Sequence, residues 1–392
     1  MNDKRTPGDA FRPSTRSNVH PFVAMDVLAL ANEREAAGER VIHMEVGQPM
    51  APLPNAAREA AESGLAADNL RYTDALGIGV LRRRIARHYA DAFGVEVDPV
   101  RVAITVGSSG AFTLTFLAAF NPGDRVAISS PGYPAYRNIL KALGLEVVEI
   151  ELSSRDAPNI TPKQLEAAHA EAPLAGVIVA SPANPTGSML APEELAALVE
   201  TAEALGIRFI SDEIYHGLTY ARPAATAAAV SPESIVVNSF SKYYCMAGWR
   251  VGWLVLPETL VRPIERLAQN LFLSPPDLSQ RAALGVMDAT DELEAIKSGY
   301  AKSRTLLLER LEPLGFEDAY PVDGAFYYYA SIRRFANDSS EFARRMLLET
   351  GVAATPGLDF DLLRGQGTIR FSFAGDPAEI AEAVERLENW LG

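Results

Sequence analysis

GVIVASPANPTGSMLAPEELAALVETAEALGIRFISDEIYHG, residues 176–217, reads as strand, turn, helix and strand in succession. Residues 176–180 and 208–211 are short β-rich apolar runs. Between them, residues 191–205 carry Pro192 and Glu193 near their start, which suits a helix N-terminus. Strands that are apolar on both faces and joined by a helix argue for parallel pairing with helices covering the sheet. The same alternation extends outward through β-rich runs at 102–106, 125–129, 235–237 and 252–255. The pattern predicts an α/β fold built on a largely parallel sheet.

Toward the N-terminus, residues 1–18 are polar and aperiodic and are expected to form a mobile tail. Residues 22–38 then place Val23, Val27, Leu28 and Leu30 on an amphipathic helix that glycine closes. Toward the C-terminus the alternation stops at the turn-like LFLSPPDLSQ of 271–280. One long helical region is expected over 279–314, with strands near 325–330 and 368–373. This reading divides the chain into a tail (1–18), an N-terminal segment joining the smaller lobe (19–45), a large domain (46–284) and a small α+β domain (285–392).

A chain of 392 residues with 48% hydrophobic content can bury a large core. Its 36 basic against 50 acidic residues leave a net charge of −14, the wrong sign for nucleic acid or anionic membranes as partners. No apolar run of membrane-spanning length or export signal is read, and the single cysteine, Cys245, has no internal disulfide partner. A cytoplasmic protein is expected. The five histidines, His20, His43, His88, His169 and His216, share no metal-ligand spacing, so no metal site is expected.

The densest chemical signal is SFSKYYCMAGWRVGW at 239–253. Lys242 stands among Ser239, Ser241 and Tyr243, and Arg250 follows eight residues later. Hydroxyls and an arginine can bind a phosphate while the amine attacks a carbonyl, which is what a pyridoxal 5′-phosphate site needs. Alone, such a lysine is ordinarily a solvated loop residue. Asp212, however, sits where a parallel strand ends, the edge at which open α/β sheets place ligands. There it can keep a pyridine nitrogen protonated while Tyr215 reaches a phenolate oxygen. Asn184 lies in SPANPTG, a backbone constrained by Pro185 and Gly187. Ser108 and Ser109 in ITVGSSGA precede a helix, whose N-terminal amides favour a phosphate.

Taken in order, SPANPTG, SDEIYHG, SFSKYYCMAGWRVGW and IRFSFA resemble the class I and II aminotransferases, with pyridoxal phosphate fold type I. YTDALGIGVLR from Tyr72 and SPGYPAY from Ser130 add to the likeness, which runs from about residue 46 to 374. The resemblance implies a large domain with a mostly parallel seven-stranded sheet between helices, and a homodimer with shared active sites. It implies that Lys242 carries the cofactor as a Schiff base and moves the substrate proton, and that Asp212 pairs with the ring nitrogen. Asn184 and Tyr215 would bind the ring oxygen, and Tyr133 would stack on the ring. Ser108, Ser109, Ser239 and Arg250 would hold the phosphate, with Ser241 a weaker candidate and Tyr72 reaching it from the neighbouring subunit. Arg370 would grip the substrate α-carboxylate with its planar fork, and the backbone at Gly47 would touch substrate. Such an enzyme moves an amino group between an α-amino acid and a 2-oxo acid in ping-pong fashion.

Three departures from the family pattern bear on the substrate. VGQP at 46–49 replaces an acid with Gln48, and TPGLDFDLLRG at 355–365 inserts Asp359 and Asp361 where small residues are usual, acids that would repel a second substrate carboxylate if they line the entrance. Aspartate-specific relatives commonly carry a lysine where Ser109 stands, so a neutral donor is expected. Cis peptides are expected at Ser130–Pro131 and Asn184–Pro185, and His216 is the histidine expected near the cofactor. A carbon–sulfur β-lyase would use the same residues. A non-catalytic effector domain of this fold would need an attached DNA-binding domain, against which the acidic charge and short N-terminal segment argue.

Overall fold

The computed structural model describes residues 11–152 and 155–392. Residues 1–10 of the expected tail lie outside the described residues, and Thr15–Ser17 form a short 3₁₀ turn capped by Ser14. Helix α1 (Val23–Ala36) and strand β1 (Ile42–His43) follow, then α2 (Asn55–Ala66) and α3 (Gly79–Phe93). The alternating region runs β2 (Val102–Thr105), α4 (Gly107–Ala119), β3 (Arg125–Ser130), α5 (Pro134–Ala142), β4 (Glu146–Glu151) and α6 (Pro162–Glu171). It continues β5 (Gly176–Ala180), α7 (Pro192–Ala204), β6 (Arg208–Asp212), β7 (Ile235–Ser239) and β8 (Gly252–Val255). Helices α8 (Glu258–Leu271), α9 (Asp277–Val286) and α10 (Thr290–Leu314) lead to β9 (Tyr327–Ser331), α11 (Ser339–Thr350), β10 (Val352–Ala353), β11 (Thr355–Pro356), β12 (Thr368–Ser372) and α12 (Pro377–Leu391).

The seven-stranded sheet has the order β2-β8-β7-β6-β5-β3-β4. Strands β4, β3, β5, β6 and β7 pair in parallel, whereas β8 runs antiparallel to both β7 and β2. The parallel strands therefore end along one edge, and the reversed β8 begins there: Gly252 is opposite both Thr105 and Ser239. Side chains alternate between faces along a strand. Ala103, Ile178 and Val237 accordingly join one core, while Val102, Ile104, Val177, Val179 and Val236 join another across the sheet.

A three-stranded antiparallel sheet, β11-β12-β9, forms the C-terminal layer. The N-terminal segment packs on this part of the chain: β1 pairs in parallel with β10, and Ala31 and Val41 bury against Leu347 and Ala353. No helix among the described residues is long and apolar enough to cross a membrane.

Three elements differ from expectation. Strand β4 (EVVEIE) was not anticipated, because as an edge strand it has exposed acids at both ends, half-buried Val147, Val148 and Glu149, and only Ile150 buried, with no continuous apolar run. The expected single helix over 279–314 is two helices. Arg84 takes the Met287 carbonyl at 2.7 Å, and the chain turns there before α10 begins. Strand β9 starts at Tyr327, later than expected, because Ala325 takes a left-handed backbone with φ +58°. Cis peptides occur at Ser130–Pro131 and Asn184–Pro185, as expected, and also at Ser181–Pro182.

Helix α2 lies directly on α9 through small residues. A Cβ placed on Gly285 would meet the Ala56 carbonyl oxygen at 2.6 Å and the Ala60 methyl at 2.8 Å. Gly285→Val should therefore force the two helices apart, at an overpacking cost of about 1–3 kcal/mol. Differential scanning fluorimetry should show a thermal midpoint lowered by a few degrees. An unchanged midpoint would disprove the close packing.

Candidate functional site

The carboxyl edge of the large sheet borders a cavity of about 490 Å³. Asp212, the last residue of β6, is buried there, its Oδ1 accepting from the Ile214 amide at 3.0 Å and its Oδ2 from the Tyr136 hydroxyl. Burial pushes this carboxyl up to about 6, against the opposing effects of the two hydrogen bonds and of Lys242. Lys242 sits in the turn after β7, and its Nζ donates to the Gly47 carbonyl. Burial, then Arg370 and Arg250, pull this amine down to about 8, with Asp212 opposing. The ring of Tyr215 lies 5.8 Å from Nζ, and the Tyr215 and Tyr327 hydroxyls are 2.6 Å apart. Burial raises both phenols, so each keeps its proton.

Arg370 projects from the middle of β12. Its guanidinium donates to Asn184 Oδ1 at 3.0 Å, to Thr355 Oγ1 at 3.2 Å and to the Glu45 carbonyl, and it lies 4.3 Å from the Tyr327 ring and 4.7 Å from the Phe360 ring. Its Nε is buried without a partner. Arg250 approaches from just before β8 onto the start of α4. Gly107 opens α4 with φ +64°, and a Cβ on it would meet Arg250 Nη2 at 2.5 Å. Val106 at its N-cap offers no capping side chain, and no side-chain acceptor for its first amides is found among the described residues.

Of the residues expected to form the site, Gly47, Ser108, Ser109, Tyr133, Asn184, Asp212, Tyr215, Ser241, Lys242, Arg250 and Arg370 all line this cavity. Ser239 does not. Its Oγ donates to Ser241 Oγ at 2.8 Å. Tyr72 is 83% exposed and lines no part of its own chain's cavity. Gly47 leaves room for a neighbour, since a Cβ there would meet the Tyr327 hydroxyl at 2.0 Å.

Two expectations are corrected. His216 does not face the cavity: it packs against Phe93, 5.5 Å away, in a separate pocket with His88, and burial lowers it to about 3. Neighbours in the turn after β6 point to opposite sides, Tyr215 into the cavity and His216 toward α3. Asp359 and Asp361 do not line the entrance either. Asp359 accepts from the Val23 and Ala24 amides at 3.1 and 3.2 Å, and Asp361 holds the Leu363 and Arg364 amides and Arg364 Nε. Arg364 also donates to the Ser130 carbonyl and to Glu151.

Tyr136, Tyr327, Phe22 and Met25 also line the cavity, although sequence reasoning assigned them nothing. Tyr136 had a faint signal, three residues after Tyr133 in SPGYPAY. Tyr327 is one of three consecutive tyrosines, and Phe22 and Met25 open an ordinary amphipathic helix; nothing local sets them apart.

The family model for aminotransferase class I and II matches residues 39–387. The chain is 47% identical to a valine–pyruvate aminotransferase of Mycobacterium tuberculosis, over 97% of this chain and 98% of that protein. A crystal structure of an aminotransferase from Mycobacterium tuberculosis superposes with a TM-score of 0.94 at 47% identity, covering 97% of this chain and 99% of the other. The aspartate aminotransferase from Thermus thermophilus with maleate gives 0.91 at 30% identity, covering 96% and 99%.

The lowered amine gives a direct check. In cofactor-free protein, a small amine-selective reagent attacks only neutral Lys242, so labelling should reach half its plateau near pH 8. An unperturbed lysine would titrate near about 10.4. Site-resolved mass spectrometry across pH 6–11 reads the profile, and a midpoint near 10 would contradict the burial.

Proposed function

The chain belongs to the class I and II aminotransferase family, and from that premise we propose that it takes a neutral, aliphatic α-amino acid as donor. It is a pyridoxal-phosphate-dependent aminotransferase that moves an amino group between an α-amino acid and a 2-oxo acid. The residues present fit the cofactor: an uncapped helix N-terminus beside Arg250, a glycine whose Cβ would collide with that guanidinium, a buried carboxylate and a buried amine share one cavity.

In this reading Ser108, Ser109, Ser239 and Arg250 would hold the phosphate at the start of α4, where amides and helix dipole favour an anion. Ser241, hydrogen-bonded to Ser239, would assist. Asp212 would hold the proton of the ring nitrogen, with Tyr136 fixing the carboxylate. Asn184 and Tyr215 would donate to the ring oxygen, and Tyr133 would stack on the ring. The bound cofactor supplies an electron sink for the pair left at the substrate α-carbon. Lys242 would move the proton at that carbon. Arg370, preset by Asn184 and Thr355, grips the α-carboxylate, and Gly47 leaves space beside it. Donor and acceptor use the same residues in turn, which makes the cycle ping-pong.

One observation carries the donor class: the cations lining the cavity are Lys242, Arg250 and Arg370, each with a task already, and Ser109 stands where a lysine would serve a second carboxylate. Arg364 is spent on Asp361, Glu151 and the Ser130 carbonyl. Phe22, Met25 and Ile214 add apolar wall. The name of the relative, valine–pyruvate aminotransferase, supports the same class, with pyruvate as acceptor. Exposed Tyr72 supports a homodimer in which it reaches the partner's phosphate.

The donor half-reaction, followed by absorbance with each amino acid alone, tests the reading. Valine, alanine and methionine should each exceed aspartate in kcat/KM by at least tenfold, about 1.4 kcal/mol, and Lys242→Ala should be inactive with all four. Aspartate ahead of the other three by that margin would overturn the assignment. For the assembly, dilution to monomer should lower activity, and Tyr72→Phe should weaken cofactor binding severalfold in a fluorescence titration; a fully active monomer would exclude shared sites.

A further inference from the structure

Helix α1 has no cap of its own. Phe22 at its N-cap offers no hydrogen-bonding side chain, which leaves the first amides to find partners elsewhere. They find them more than 300 residues away: Asp359 turns Oδ1 to the Val23 amide and Oδ2 to the Ala24 amide. The carboxylate is 3% exposed, and its negative charge lies at the positive end of the helix. Phe22 and Met25 flank those two residues and, with Ala24, are what this end of α1 contributes to the cavity wall.

The same turn reaches two other walls. Phe360, next to Asp359, lies under the Arg370 guanidinium, and its carbonyl accepts from the Gly132 amide at 3.1 Å. Gly132 precedes Tyr133, whose ring meets Phe22 edge-on at 6.0 Å. One short segment thus ties together the apolar wall from α1, the seat of Arg370 and the loop of Tyr133.

We propose that Asp359 is a positioning residue for donor selection, which caps α1 from across the chain and thereby sets Phe22 and Met25 against the donor side chain. The proposal rests on the neutral-donor reading above. Asp359 is not among the residues lining the cavity, and neither Lys242 nor Asp212 hydrogen-bonds to it. Loss of the cap frays the first turn of α1 and loosens the apolar wall while the reacting groups stay in place. A donor whose side chain reaches that wall loses affinity, and one too short to reach it does not.

The test uses full-length holoenzyme and donors alanine and leucine, with half-saturation and maximal rate read from the half-reaction. Asp359→Ala should raise half-saturation for leucine about five- to tenfold, the scale of a lost helix cap, with alanine within twofold and both maximal rates nearly unchanged. Asp359→Asn, which keeps one acceptor, should recover most of the loss. Independently of activity, hydrogen exchange in cofactor-free protein should quicken in the α1 first turn for Asp359→Ala and be largely restored in Asp359→Asn. Phe22→Ala should reproduce the leucine effect, and it decides together with Asp359→Asn if the alanine variant does not fold. Equal losses for both donors, or unchanged exchange at α1, would overturn the proposal. Preference of the unaltered enzyme for aspartate would instead strike the donor reading, leaving the exchange result to judge the cap.

Discussion

Two opposite charges held out of water, on Asp212 and Lys242, govern this cavity. Burial alone disfavours charge on both, and the carboxyl is pushed up to about 6 while the amine is pulled down to about 8. Their mutual attraction works against both shifts. Arg370 and Arg250 work the other way on the amine and add to the larger effect of burial, so Lys242 loses its proton more readily than an exposed lysine. Anions placed against those arginines would reduce that pressure, which links the state of the amine to what the cavity holds.

The sheet makes such crowding feasible. Its parallel strands end on one edge, so the turns after β5 and β7 and the last residue of β6 deliver Asn184, Lys242 and Asp212 to one place. Reversal of β8 matters as much, because it puts the start of that strand, and Arg250 just before it, at this edge beside α4. Each charged group is fixed by backbone or by a buried hydroxyl. Little side-chain freedom is left to lose when substrate arrives.

The C-terminal layer and the N-terminal helix complete the walls. Arg370 is held between two aromatic rings and three acceptors, an arrangement that fixes a planar cation before any carboxylate reaches it. The acids that depart from the family pattern serve structure: Asp359 and Asp361 saturate backbone amides at a helix end and in a tight turn. Their charge is spent inside the protein.

Much of this was legible from the chain. Runs of apolar residues alternating with amphipathic helices specify a parallel sheet because period and burial are local properties. Lys242, Asp212, Asn184 and Arg250 announce themselves through dense local motifs. Strand β4 escaped notice because an edge strand needs no apolar run, and the break before α10 because residues 287–289 hold no glycine or proline to mark it. Tyr136, Tyr327 and Phe22 acquire their places only when separate elements meet. The place of Asp359 and the direction of His216 were decided in the same way: sequence states what a side chain is, but the direction it points and the amide or ring it meets are set by tertiary packing between residues hundreds of positions apart.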